Sequence, residues 1–150
     1  MKSFKFTVPG AVVPQARPRA TKVAGNIVMH DTRKCQSYKM DVASCASMQI
    51  ERQCIEVPVI PNAEGFTVRI IIHKGFLKSM SKKKIGLARE NKIRPVAKPD
   101  LDNAAKGILD AMKGVFWKDD SAVTILVVEK MYDDMDFTEV EIYWEEPEEK

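Results

Sequence analysis

Between residues 100 and 120 the chain carries five aspartates, Asp100, Asp102, Asp110, Asp119 and Asp120, with Lys106 among them. Pro99 favours an extended approach to the first, and residues two apart in extended chain point to the same side. Asp100 and Asp102 are therefore expected to present their carboxylates together. Asp102, Lys106 and Asp110 follow at intervals of four, which places them on one face of a helix. Asp119 and Asp120 come after a short connection, at the entrance to a strand led by Ser121, and a helix packed on that strand returns them to the same corner. Carboxylates gathered in this way repel one another unless a cation lies between them. Hard divalent ions such as Mg²⁺, with Mn²⁺ as a substitute, take oxygen ligands and keep waters, so a few carboxylates beside a phosphate make a complete site. A bound ion turns a water into a nucleophile and stabilises charge on a phosphate, and Lys106 can steady the same charge. Phosphodiester hydrolysis is the chemistry to which these residue types point.

The same spacing admits a plainer reading, towards which it leans slightly when taken alone. Asp102 is then a helix cap, Lys106 and Asp110 an ion pair worth about 0.3 to 0.5 kcal/mol, and Asp119-Asp120 an ordinary turn. A further acidic group, Asp133, Asp134 and Asp136, is expected in a solvated hairpin turn between two strands and stays outside the site.

The elements that must position these residues can be placed by periodicity. Phe4 to Val8 alternates as a half-buried strand and ends at Pro9-Gly10. Val13 to Arg19 is an extended basic loop whose two prolines hold Arg17 and Arg19 in view. After the turn at Gly25-Asn26, Ile27 to Met29 forms a short strand, and Asp31 or Thr32 caps a helix reaching about Cys54. Its buried stripe is Cys35, Tyr38, Val42, Cys45 and Met48. Phe66 to Ile72, dense in β-branched residues, is a central strand. Lys74 to Lys98 lacks sustained apolar periodicity and is expected to be a mobile or ligand-ordered loop. A helix capped by Asp102 runs through Lys113 to a stop at Gly114, with Leu101, Ala105, Ile108, Leu109 and Met112 on its apolar face. Val123 to Val128 and Val140 to Trp144 are two more strands.

Composition narrows the partners. At 150 residues, 45% hydrophobic and 30% charged, the chain suits one globular domain, taken as residues 1–144 with an acidic tail at 145–150. No stretch reaches the roughly 20 apolar residues of a membrane span, and none has a signal-peptide pattern, so a cytoplasmic location and no membrane partner are expected. Cys35, Cys45 and Cys54 make neither a disulfide framework nor a zinc set, and His30 and His73 stand in unrelated segments. The net charge of +3 is unevenly spread: nine Lys or Arg face one acid between Lys74 and Lys98, and nine acids lie between Asp133 and Glu149. Lysine runs are commonly solvated loops. Here Lys82, Lys83, Lys84 and Lys98, with Arg17 and Arg19, lead towards an acidic site and would hold a polyanion such as DNA. Phe116 and Trp117 could stack on bases, although packing between helix and strand is the more common use of such residues.

In the order and spacing of Asp100-Leu101-Asp102-Asn103, Lys106, Leu109-Asp110 and Asp119-Asp120, the chain resembles the RusA family of Holliday-junction resolvases. The opening Val8-Pro9-Gly10 and Pro14-Gln15-Ala16-Arg17-Pro18-Arg19 resembles that family too, so the likeness reaches to about Val128. The resemblance implies an α/β (α+β) fold, a mixed sheet of about four to five strands with two main helices. It also implies a homodimer that nicks opposed strands of a four-way DNA junction, in a bacterial or phage-infected cell. By position, Asp100, Asp102 and Asp120 would bind Mg²⁺ with Asp119 in support, and Lys106 would be needed for cleavage. Ala104-Ala105, Pro99 and the lysine-rich loop depart from some relatives and bear on cutting-sequence preference. Two other functions fit the same residues: a branched-DNA-binding module without hydrolysis, and a metal-dependent hydrolase of small nucleotides.

Overall fold

Alternation of Phe4, Phe6 and Val8 with polar residues makes the first strand, β1 (Lys2–Pro9), with all three side chains buried, in a computed structural model that describes residues 1–149. A turn at Ala24 and Gly25, both at positive φ, joins β2 (Arg19–Val23) to β3 (Asn26–His30) in a separate antiparallel ribbon whose residues are all exposed. β3 is the short strand expected after the basic loop. β2 has no apolar alternation to announce it, and it exists because the turn folds it onto β3.

Helix α1 (Arg33–Gln53) begins where the Thr32 hydroxyl accepts from Cys35 N at 3.3 Å, and ends at Cys54 in the left-handed region. It buries Cys35, Tyr38, Val42, Ala46 and Ile50. Beyond Val42 the stripe advances in steps of four, which leaves Cys45 half-buried and Met48 exposed, contrary to the expected stripe.

β4 (Phe66–Gly75) is central, as its β-branched run requires. Its neighbours are β5 (Val123–Asp133), parallel, and β6 (Phe137–Trp144), antiparallel, and the sheet order is β1-β6-β4-β5. Phe66, Val68, Ile70 and Ile72 of β4 join Val140, Ile142 and Trp144 of β6 in the core, with Phe116 and Trp117 fully buried among them. The two rings pack against Phe4, Phe66 and Trp144, which accounts for them without base stacking. On the other face Arg69 bridges Glu129 and Glu141 at 2.5 and 3.7 Å.

Because β4 separates β5 from β6, Asp133, Asp134 and Asp136 do not form the expected hairpin turn. The connection crosses the end of β4, where Gly75 N donates to Asp136 Oδ1 at 2.7 Å and Phe76 N to Asp133 O at 3.1 Å. The carboxylates of Asp133 and Asp134 are bound as well, to His73 Nδ1 and to Arg89, each at 2.9 Å.

The segment from Lys74 to Lys98 is also more ordered than its composition suggests, because it contains α2 (Lys82–Arg89). Ser81 caps this helix by accepting from Lys84 N at 3.2 Å, Ala88 is buried, and Arg89 stacks over Phe76. Eight residues with Gly86 inside are too few to show a helical period. Helix α3 (Leu101–Met112) packs against α1 and β5, and leads through Gly114, at positive φ, to a 3-10 turn at Asp120–Ala122. The mixed α+β architecture is the one expected. Among the described residues no helix is long and apolar enough to cross a membrane.

Candidate active site

Apolar burial fixes the orientation of α3. Ala104, Ala105, Ile108, Ala111 and Met112 face the core, so Asp102 and Lys106 are turned outward and exposed. The N-cap is Asp100, not Asp102 as expected, and its side chain makes no capping hydrogen bond. Leu101 tucks in half-buried at the first helical position, so the helix begins two residues earlier and the extended pairing of Asp100 with Asp102 does not occur. The segment before Asp100 is held from β5 and β4. Lys130 Nζ donates to Ala97 O at 2.8 Å and Pro99 O at 3.1 Å, and Lys74 Nζ donates to Lys98 O at 3.2 Å.

Asp102, Lys106 and Asp110 of α3 line one open cleft with Asp120, which arrives on the 3-10 turn before β5. The cleft measures about 580 Å³, and its apolar walls come from Leu101, Ala105 and Leu109 of α3 and Leu126 and Val128 of β5. Asp119 lies outside this lining, exposed, with its carboxylate accepting from Ser121 N at 3.3 Å; Asp100 is likewise exposed and outside it.

Asp120 is the most constrained of these acids. Trp117 Nε1 donates to its Oδ1 at 2.7 Å. Burial pushes its carboxyl above the usual aspartate value, against the Trp117 hydrogen bond, while the charges of Asp110 and Asp119 push it higher and Lys113 opposes them. Asp110 is bound by Lys39 Nζ at 3.4 Å and not by Lys106, so the simple ion pair along α3 is replaced by one between helices. Lys39 also holds Asp31 at 2.8 Å, and Asp31 accepts from Gln15 Nε2 at 2.8 Å. Gln15 N in turn donates to Asn103 O at 3.0 Å, which lays the basic arm across α3. Lys39, Asp31 and Gln15 escape sequence reasoning because no spacing joins them to an acid on another helix.

The donor set is hard oxygen, which suits Mg²⁺ or Mn²⁺; burial is the main cause that raises Asp120, and a cation would relieve the smaller repulsion from Asp110 and Asp119. Among the described residues no three Asp, Glu, His or Cys side chains are arranged to hold an ion. An ion here would draw one or two carboxylates from the chain as it stands and fill its remaining positions with water and phosphate oxygens, the usual habit of Mg²⁺. Arg17 and Lys98 are exposed in irregular chain, Arg19 begins β2, and Lys82, Lys83 and Lys84 form the exposed first turn of α2.

Residues 9–143 match the protein family described as Endodeoxyribonuclease RusA. The chain is also similar to "Uncharacterized protein YqaN" of Bacillus subtilis (strain 168), with 37% identity over 144 residues that cover 95% of this chain and 96% of that protein. The extent of the family match, which takes in β4, β5, both long helices and every residue of the cleft, shows that the chain belongs to the endodeoxyribonuclease RusA family.

Proposed function

We propose that this endodeoxyribonuclease is a Mg²⁺-dependent resolvase of Holliday junctions, acting as a homodimer on four-way DNA in the cytoplasm of a bacterium or phage-infected cell. The observation that carries the reading is the meeting of Asp102 and Lys106 with Asp120 in one cleft, although they come from separate parts of the chain. Asp102 and Asp120 are the proposed ligands in the cleft as it stands; Asp100, outside it, joins them when the ion binds, Asp119 gives support, and Mn²⁺ substitutes for Mg²⁺. When bound, the ion lowers the pKa of a water and offsets charge on the scissile phosphate. A water oxygen bonds to phosphorus as one bridging P–O bond breaks, leaving a phosphate on one side of the nick and a hydroxyl on the other. Lys106 places a positive charge at the phosphate, while Arg17, Arg19, Lys82, Lys83, Lys84 and Lys98 hold the flanking backbone. The homodimer is supported by Ile125 and Val127, exposed apolar residues on the outer strand β5, and two-fold symmetry suits a four-way junction.

A second reading, junction binding without hydrolysis, is favoured by the lack of any three donors arranged around an ion among the described residues. The test is incubation of the protein with a labelled four-way junction and a matched linear duplex, with and without Mg²⁺, beside Asp102→Asn. Paired, metal-dependent nicks in the junction, lost in the variant while binding persists, support the resolvase. Binding without nicking in Mg²⁺ and Mn²⁺ supports the second reading, and full cutting by Asp102→Asn rejects the proposed site.

A further inference from the structure

Lys39 lies on α1, outside the acidic cleft of α3, yet it reaches the cleft wall. Its side chain is 20% exposed, and its Nζ is shared between Asp31 Oδ2 at 2.8 Å and Asp110 Oδ2 at 3.4 Å. An ammonium so far withdrawn from water is kept charged by its acids. Burial pulls its pKa down, and the hydrogen bond and charge of Asp31, with the charge of Asp110, outweigh burial and leave it raised. Asp31 is fixed on its other oxygen by Gln15 Nε2, so the lysine is anchored on the side away from the cleft. Lysine is flexible by nature, and two carboxylates on separate elements remove that freedom.

We propose that Lys39 is a positioning residue of the DNA-cutting site. It fixes the Asp110 carboxylate against the cleft wall and offsets its charge, so that the scissile phosphate, once bound beside Asp102 and Asp120, keeps the geometry needed for cutting. Asp110 is close enough to act on this region, because it lines the same cleft as Asp102, Lys106 and Asp120. The proposal rests on the endonuclease reading, and it separates two cations that would otherwise be grouped together. Lys106 lines the cleft and faces the substrate, whereas Lys39 acts through Asp110 and touches no DNA.

The test compares Lys39→Met and Lys39→Arg with the unaltered protein on the labelled four-way junction in Mg²⁺, measuring junction Kd and the single-turnover cutting rate at saturating protein. The expected result for Lys39→Met is a rate at least about 10-fold lower with Kd unchanged within about 3-fold, because the lost contact acts on geometry and not on DNA binding. Lys39→Arg, which keeps the charge, recovers most of the rate. Unchanged cutting by Lys39→Met, a parallel loss of binding and rate, or failure of Lys39→Arg to recover overturns the proposal. Should Lys39→Met fail to fold, Asp31→Asn removes the anchor and keeps the ammonium; a lower rate at unchanged Kd supports the proposal and an unchanged rate overturns it. If the unaltered protein itself does not cut in Mg²⁺ or Mn²⁺, the endonuclease reading fails and this inference falls with it.

Discussion

The indole N–H of Trp117 donates to Asp120 Oδ1 at 2.7 Å, so a fully buried ring of the core holds the one cleft carboxylate that arrives from outside α3. Trp117→Phe keeps most of the packing against Phe66 and removes that donor. The expected loss of stability is about 2 kcal/mol, from a hydrogen bond to a charged group and a smaller ring. Because the bond opposes the upward shift of Asp120, its loss raises that carboxyl further and moves the acid limb of the cutting-rate profile to higher pH. Urea unfolding and single-turnover rates across pH measure the two effects separately.

Gly65 sits at φ +75°, where a Cβ would come within 2.6 Å of Ala122 O and of Thr124 Cγ2. Gly65→Ala meets a backbone carbonyl and a strained φ together, and is expected to cost about 2 kcal/mol or more. Ala122 ends the 3-10 turn that carries Asp120, so cutting is expected to weaken as well. Thermal unfolding checks the first outcome, and the rate with bound junction checks the second.

Asp31 and Asp120 depend on pH with opposite signs. Asp31 is lowered below 3.8 by its hydrogen bonds from Lys39 and Gln15, so its contribution to stability is present above pH 3.8 and is lost as pH falls through its folded value. Asp120 is raised above 3.8 by burial, so its contribution is present below pH 3.8 and is lost as pH rises through its folded value. Asp31→Asn is therefore destabilising at neutral pH by an amount that shrinks in acid. Asp120→Asn is stabilising at neutral pH by an amount that also shrinks in acid. Urea midpoints for both variants between about pH 3 and 7 test the signs.

Lys82, Lys83 and Lys84 project from the exposed start of α2. If all three meet DNA phosphates, replacing them with alanine flattens the slope of log K against log salt by up to roughly 2.7, at about 0.9 for each phosphate released. Junction binding titrated at several salt concentrations gives the slope. An unchanged slope removes this helix from the interface.

Much of this arrangement was legible in the residues. Period-two alternation in Phe4 to Val8 and the β-branched run of Phe66 to Ile72 announce β1 and β4, and Thr32 and Gly114 mark helix boundaries through local chemistry. The spacing of Asp102, Lys106 and Asp110 placed three of the cleft's polar side chains on one helix face. What stayed hidden depends on contacts between distant segments. α2 is fixed by Arg89 on Asp134 and Phe76, β2 by its partner strand, and the crossover at Asp134 to Asp136 by a sheet order that no local pattern encodes. Asp100 is the cap in place of Asp102, and the Leu101 that follows it packs half-buried against the core, a tertiary contact that local sequence does not announce. Lys39 belongs to the same class, since its partner is 71 residues away.

The register that pairs Lys2 with Trp144 has a consequence for how the protein is made. β6 follows the other three strands of its sheet in the sequence, yet it takes a place in the middle of that sheet, between β1 and β4. Until it arrives β1 has no neighbour and β4 has an empty side, although every residue of the acidic cleft has already been synthesised. Pairing across so long a separation is slow and comes late. A chain that stops before residue 137 therefore lacks the strand that joins β1 to β4, although it carries every residue of the cleft.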